Sequence, residues 1–581
     1  NIAINTSVFT TVAIIDTGID ASHMDLKGKL VYWRDLTGES ESPFDPIGHG
    51  TMIASIIAGE GLGTENGSIW ITYTGNIYTH SKVVFTLDVP KDQTITLNAS
   101  FIIPKNNYTK MLKTNLTFVN ENESWKQTVI FDTNKSLQLY LKKGIYYAYG
   151  CSDQYDISYV FRLKVDRRID EFPPMRGVNP NLKLAVFKIF RTGEITTSDA
   201  LILEALNKIS ELVKKLNIVA INLSLGGYMP SISIDYAINQ LAKEGVSTIA
   251  AAGNSYIDLY KVGVTERQIG SPGTAAYAIT VGGTNDYRGI AIYSSRGGSY
   301  TDGLDIPYTK PDILAPSGGL IKGSWIVAAD TNCKDGIFLD YPNDYTGAIG
   351  TSFATPIITG LVATCISAMI SQGEWYWNLS SVMFLKFLIL LSTYETTYIG
   401  VHETEFQYKN ITVSRLAPSF DFGRKDPDEG FGFISAPAFF LLLENIYNKP
   451  NASIELSISA NELMRSLIHG FILKMDGCYS VEISYEGDLD YYLAIYKAYS
   501  NDGSPIYVDY LYSQKNSLII RGKGIYAFMI KPHSIYDTDG TIRIRIVKRQ
   551  GLSPYTYAYV LILALLLFCV AIATFLRRSQ K

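Results

Sequence analysis

Short runs of β-branched and small apolar residues alternate with helical segments across much of this chain, and that alternation limits its fold more than any other feature. The run "TVAIID" ends at Asp16, and "LKLAVFKIF", "IVAINLSLGG", "VSTIAAAGN" and "AYAITVGGT" repeat its character further on. Helical spacing fills the intervals: Met52, Ile53, Ile56 and Ile57 in "GHGTMIASIIAG", then "TSDALILEALNKISELVKKL" and "SIDYAINQLAKEG". Strands that are apolar throughout, joined by helices, predict an α/β fold with a doubly wound, mostly parallel sheet and helices on both faces. Ligands of such sheets gather beyond the carboxyl ends of the strands.

The alternation is broken once and then ends. From about Asn66 to Glu171 the sequence changes to short alternating polar and β-branched runs such as "KVVFTLDV", "TITLNASFII" and "ISYVFRLKV". A second block of that kind runs from about Ser453 to Lys548. The expected organisation is an α/β domain over 1–65 and 172–450, an inserted β-rich domain over 66–171 and a C-terminal β-sandwich-like domain over 451–550. The segments "NKSLQLYLKKGIYYAY" and "KNSLIIRGKGIYAFMI" align as strand, Lys-Gly-Ile-Tyr turn and strand. One sandwich-like module used twice would give that alignment, as would coincidence between two tyrosine-rich strand pairs.

No charged residue occurs between Tyr555 and Leu576. At about 1.5 Å per residue that run matches a hydrocarbon layer about 30 Å thick, so 555–576 is expected to be a transmembrane helix. Tyr555, Tyr557 and Tyr559 suit one interface, and Arg577, Arg578 and Lys581 place the tail 577–581 in the cytoplasm. The rest is then outside the cell, in a single-pass arrangement. Asn-x-Ser/Thr triplets at Asn5, Asn66, Asn98, Asn107, Asn115, Asn122, Asn134, Asn378, Asn410 and Asn451 agree with that location, whereas Asn222 sits in an apolar strand pattern. The chain opens without a methionine or a secretory leader, so a signal and a pro-segment are expected to have preceded it. Dense tyrosine with abundant triplets gives the composition an archaeal character. Of Cys151, Cys333, Cys365, Cys478 and Cys569, the last lies in the membrane run, and no spacing among them suggests zinc. A net charge of -4 argues against nucleic acid as a partner.

Four short motifs carry chemistry. Asp16, in "DTG", stands at a strand's carboxyl end. Aspartic proteases need two such aspartates sharing a proton, a serine hydrolase needs one to orient a histidine, and the chain has one. His49 lies between two glycines at a helix opening, a setting for proton transfer near neutral pH or for a helix-start histidine without a catalytic role. Asn254, in "AAGN", could cap a turn or donate to a developing oxyanion. Ser352, in "GTSFATP", could cap a helix or act as a nucleophile.

Taken together in the order Asp, His, Ser, these motifs resemble the subtilisin-like serine proteases, or subtilases. "INLSLGG", "GVNPNLKLAVFKIF", "KPDILAPSG" and "DEGFGFISAPAFF" add to the resemblance. It implies Ser352 as nucleophile, His49 as base and then acid, and Asp16 as the group holding the imidazole. It also implies Asn254 with the Ser352 N–H as the oxyanion hole, and Ser224, Leu225 and Gly226 as part of the segment that pairs with a peptide substrate. No cofactor is required for that chemistry. Structural calcium occurs in some relatives, and Asp25 in "SHMDLKG" resembles an aspartate that ligates it in part of the family, but no full oxygen shell can be assembled and no metal is assigned. Two departures stand out: the long insertion after the His49 helix, and Ser317 in "APSGG" where a glycine is common.

The sequence therefore reads as a membrane-anchored, cell-surface serine endopeptidase acting on proteins or peptides. An inactive protease-like scaffold for adhesion or envelope assembly is the alternative. A lipase or esterase would want a Gly-x-Ser-x-Gly elbow and the order Ser, Asp, His, neither of which is present at Ser352.

Overall fold

The computed structural model describes residues 9–62, 68–77, 82–89, 91–102, 114–120, 124–131, 135–152, 157–166, 176–285, 288–301, 307–319, 325–332, 344–396, 405–408, 411–414, 420–444, 446–447, 453–466, 468–533 and 540–549. The apolar run 555–576, the tail, Cys333, Cys569 and the triplets at Asn5, Asn66, Asn107, Asn122, Asn134, Asn410 and Asn451 lie outside these residues.

A nine-stranded sheet forms the centre. Its order is Leu30–Asp35, Lys183–Lys188, Thr11–Asp16, Ile218–Leu223, Ser247–Ala251, Ile279–Thr284, Ile313–Pro316, Phe433–Ile434 and Thr393–Tyr394. All neighbours run parallel except the last pair. Strand alternation divides the apolar residues between two cores. Val12 and Ile14 face the helices His49–Ala58, Thr351–Gln372 and Leu379–Leu391, whereas Ala13 and Ile15 face Asp199–Leu216 and Ile232–Lys243. Thr11–Asp16 lies inside the sheet with later strands added on either side, so the chain reverses its winding there and opens a crevice at the strand's carboxyl end.

The insertion builds two sheets. Four strands, Lys82–Val89, Gly144–Ser152, Thr114–Asn120 and Lys126–Phe131, make one. The other is ordered Ile326–Ala329, Tyr345–Ala348, Ser68–Ile77, Ile157–Asp166, Gln93–Ile102 and Lys135–Leu141. Its first two strands come from far along the chain, immediately before Ser352, so the insertion shares a sheet with the segment that feeds the serine.

The C-terminal block forms a seven-stranded sheet around long antiparallel strands, His469–Gly487 and Ser517–Pro532. The turn expected in "KNSLIIRGKGIYAFMI" is absent, because one strand runs through it. Gly522 and Gly524 there have φ of 140° and 147°, which bend the strand without reversing it. In the insertion the aligned segments fall in different sheets. Phe471, Leu493 and Phe528 fill the C-terminal module's own core, while Ile472, Tyr492 and Met529 face the core of the α/β domain.

Among the described residues one helix, Thr351–Gln372, is long and apolar enough to cross a membrane, and most of it is buried in the core. Asn222 is fully buried, Asn115 and Asn378 are exposed, and Asn98 is half-buried.

Candidate active site

The crevice gathers the singled-out residues at the ends of neighbouring elements. Asp16 ends its strand, almost fully buried, and His49 begins the helix His49–Ala58 with its ring half-buried. Gly48, ahead of it, has φ 87°, and a Cβ there would meet the Thr331 methyl at 3.3 Å. His49 Nδ1 bonds Asp16 Oδ1 at 2.7 Å, and the same oxygen accepts the Thr17 N–H at 2.7 Å. Asp16 Oδ2 is buried without a hydrogen-bond partner among the described residues. Burial opposes a charge on His49, but the charge and hydrogen bond of Asp16, with the charge of Asp45 behind them, outweigh it. The imidazole's pKa therefore lies above its ordinary value.

Ser352 is the second residue of its helix, and Gly350, at φ 146°, is the N-cap. The capping reading of Ser352 is thus not what forms. Its hydroxyl donates to the Ser224 carbonyl at 3.0 Å, and the Ser224 hydroxyl donates to the Ser352 carbonyl at 2.7 Å. Pro356 explains why that second bond is open: four residues after Ser352, it has no N–H to offer the Ser352 carbonyl. Asn222 donates to the Ser224 hydroxyl at 2.9 Å and accepts from Thr359 at 2.9 Å, which uses both ends of a fully buried amide.

Asn254 is oriented by the helix start. Its Oδ1 accepts the Thr351 N–H at 2.9 Å and the Thr351 hydroxyl at 3.0 Å, so Nδ2 is the end left to donate outward. A Cβ on Gly350 would come within 3.0 Å of that Nδ2, so glycine keeps the space beside it open. Ser317, whose presence the sequence left without an account, is fully buried. Its hydroxyl meets the Tyr293 hydroxyl at 2.7 Å, and its carbonyl accepts the Gly350 N–H at 3.0 Å.

The strand expected to continue through Ser224 to Gly227 stops at Leu223. Ser224 is committed to Ser352, Leu225 is half-buried, and Gly226 and Gly227 lie exposed, with the Gly227 N–H on the Ser271 carbonyl at 3.0 Å. The ladder ends because, among the described residues, no strand lies alongside Ser224 to Gly227.

Asp25 does not suit a cation. Its carboxylate accepts the Tyr345 hydroxyl at 3.0 and 3.1 Å and the Leu62 N–H at 2.6 Å, which are donors where a calcium site needs oxygen acceptors. Among the described residues no group of three metal-ligating side chains is placed to hold an ion. Cys365 and Cys478 are free thiols.

The subtilase (peptidase S8) family model matches residues 9–95 and 162–406. The chain belongs to the subtilase family. The unmatched stretch between these segments falls inside the insertion. Subtilisin from Bacillus sp. strain TA39 is 32% identical over 195 residues, covering 32% of this chain and 40% of its own length. Pyrolysin from Pyrococcus furiosus is 31% identical over 190 residues, covering 27% of this chain and 12% of its own length. The chain thus spans less than half the length of these two curated relatives. The solved structure of sphericase overlaps 74% of this chain and 94% of its own at 18% identity, with a TM-score of 0.40.

Sequence reasoning on this subtilase missed how Ser352 and Asn254 are held. Thr351, Pro356, Ser224 and Asn222 lie within motifs already recognised, but their supporting bonds were not read, although a proline four residues after a serine is a legible sign of a freed carbonyl. Asp45, four residues before His49, was also missed.

Proposed function

We propose that the protein is a serine endopeptidase of the cell surface, hydrolysing peptide bonds through an acyl-enzyme on Ser352 and anchored by 555–576. The observation that carries the chemistry is the 2.7 Å bond between His49 Nδ1 and Asp16 Oδ1. It fixes the tautomer that leaves Nε2 to accept a proton, at the crevice where Ser352 stands in the first turn of its helix. The Ser352 hydroxyl turns from the Ser224 carbonyl to His49, gives up its proton and attacks the scissile carbonyl carbon. Negative charge developing on the carbonyl oxygen is met by the Ser352 N–H and Asn254 Nδ2. His49 returns the proton to the leaving amine, and water, activated by the same imidazole, hydrolyses the ester. An extended peptide lies along Ser224 to Gly227, where the exposed main chain of Gly226 offers the pairing that ends at Leu223.

A fluorophosphonate probe tests this on the chain without 555–581. Mass spectrometry should locate the label on Ser352, absent from Ser352→Ala. A folded, pro-segment-free protein that stayed unlabelled across a pH series would remove the enzyme and leave the scaffold. Because His49 must be neutral to act as base and its pKa is raised, labelling should reach half its maximal rate above about pH 6.5. Work at acidic pH would need the opposite shift, so a half-point below pH 6 would contradict the geometry around His49.

A further inference from the structure

Asp45 is fully buried at the end of "SPFD", and no cation pairs with it among the described residues. Five donors converge on its carboxylate. Oδ1 accepts the Thr17 hydroxyl at 2.9 Å, the Gly48 N–H at 2.9 Å and the Ile47 N–H at 3.3 Å. Oδ2 accepts the Thr51 N–H at 2.8 Å and the Thr51 hydroxyl at 2.7 Å. Both threonines pass the restraint on, since Thr17 Oγ1 accepts the Gly50 N–H at 2.9 Å and Thr51 Oγ1 accepts the Asp20 N–H at 3.0 Å.

We propose that Asp45 is a positioning residue of this active site, tying the strand end that bears Asp16 to the helix start that bears His49. The inference rests on the serine endopeptidase reading given above. Thr17 directly follows Asp16, and Gly48 and Gly50 directly flank His49, so one carboxylate reaches the neighbours of both catalytic groups. The local reason lies in Gly48. A glycine N-cap has no side chain to accept the free N–H groups of the first turn, so the acceptor must come from elsewhere. Asp45 supplies it by bonding the third residue of the helix, and its position beneath the turn brings the "DTG" loop into the same set of bonds. Misplacement of an imidazole by about 1 Å costs roughly a hundredfold in rate, so this set bears directly on turnover.

A pure cap and a positioning residue predict different outcomes. Asp16 and Asp45 are the charged groups acting on His49, and Asp330 stands beside Gly48. The test is the pH dependence of fluorophosphonate labelling in the parent, Asp45→Asn, Thr17→Val and Thr17→Ser, all kept as the same chain without 555–581. Asp45→Asn should label at least about tenfold more slowly at its plateau, with the acid half-point moved to lower pH because a negative charge near His49 is gone. Thr17→Val should slow labelling several-fold with the half-point unmoved, and Thr17→Ser, which keeps the hydroxyl, should restore the parent rate. A parent that labels, with Asp45→Asn matching it in rate and half-point, overturns the proposal. If Asp45→Asn does not fold, Thr17→Val labelling at the parent rate overturns it alone. An unlabelled parent would instead remove the endopeptidase reading beneath it, so the two failures are distinct.

Discussion

The insertion and the C-terminal module are both β structures attached to one α/β core, but they are attached by different physics. The insertion joins through its backbone. Tyr345 and Thr346 pair in parallel with Ile71 and Thr72, and Asp344 beside them accepts from Thr72 at 3.2 Å and faces Arg162 at 3.7 Å. The C-terminal module joins by a two-residue pairing of Ile446–Tyr447 with Ile472 and Leu473 and, over most of its junction, through side chains: aliphatic ones such as Ile472 and Met529, with aromatic and charged ones beside them. Phe422 stacks on Tyr510 at 3.9 Å and Phe420 packs edge-on against Tyr492 and His533. Two buried charge clusters lie along the same junction. In one, Asp312 meets Lys310 at 2.7 Å, Lys425 at 2.5 Å and Lys386 at 3.6 Å, with Asp502 of the module 4.0 Å from Lys386. In the other, Glu395, Asp421, Asp426 and Glu429 crowd together with Lys531 as their cation. A backbone ladder does not titrate and buried side-chain charges do, so the insertion should govern catalysis and the C-terminal junction should govern how stability depends on pH.

Removing the insertion is the severest test of that division. The strand Tyr345–Ala348 would lose its neighbour Ser68–Ile77 and leads within a few residues to Ser352. Replacing 66–171 with a short polar link should therefore slow labelling of Ser352 by about a hundredfold, through misplacement of the serine helix. The insertion's pairing with the segment that precedes Ser352 also predicts that whatever activity remains is less selective among folded proteins. A deletion protein that folds and labels at the parent rate would break the comparison. The next largest effect belongs to the lysine-rich cluster. Asp312→Asn removes the carboxylate shared by three buried lysines, which should cost about 3–5 kcal/mol and lower Tm by about 10 °C in differential scanning calorimetry. A fall below about 2 °C would show that those lysines find other acceptors.

The parts of this organisation that were legible in the sequence are those written in local pattern. Apolar strands alternating with amphipathic helices predict the parallel sheet, because burial on both faces demands that composition, and the motifs around Asp16, His49, Asn254 and Ser352 lie at strand ends and helix starts where small residues are forced. The shared sheet of the insertion was not legible. Its strands Ile326–Ala329 and Tyr345–Ala348 are short, carry small residues and pair with each other, and the second alone reaches Ser68–Ile77, far back along the chain. The straight course through "RGKGIYAF" was missed for a related reason, since Gly522 and Gly524 signal positive φ equally well in a turn and in a bent strand. Asp45 was overlooked because a buried carboxylate and a loop carboxylate look alike until the donors around them are known. Nothing local marks Glu395 and Glu429 as neighbours either, as they belong to segments brought together only by the edge strands Thr393–Tyr394 and Phe433–Ile434.

That acidic cluster gives the smallest effect and the sharpest sign. Burial, together with the mutual repulsion of the carboxylates, raises Asp421 to about 8 and Asp426 to about 7, and Glu395 and Glu429 are raised as well. Glu429 is fully buried; its Oε2 accepts the Thr396 N–H at 2.9 Å, while among the described residues its Oε1 has no hydrogen-bond partner, nor has Asp421 Oδ1 or the Lys531 ammonium. A carboxylate with a raised folded pKa holds its proton more tightly in the folded chain than in the unfolded one. Its contribution is complete below the unfolded value near 4 and is lost as pH rises through the folded value. In the other cluster, burial, with Lys386 and Lys425 adding their charge, lowers Lys310 to about 7 against the pull of Asp312. A lysine lowered that far is protonated in both states below about pH 6 and adds no slope there; from there to pH 7 it starts to lose its proton in the folded chain and raises stability with pH, one lysine against four raised carboxylates. Between pH 5 and 7 the carboxylates therefore set the trend, and Tm of the parent should fall across that window. Glu429→Gln keeps an oxygen for Thr396, places an amide where Oε1 stands and removes one ionisation. It should raise Tm by about 2–4 °C at pH 7 with little change at pH 5, and leave the labelling rate of Ser352 as it was. Equal shifts at both pH values would mean the junction is held by packing alone, and a changed labelling rate would mean the C-terminal junction reaches the catalytic groups after all.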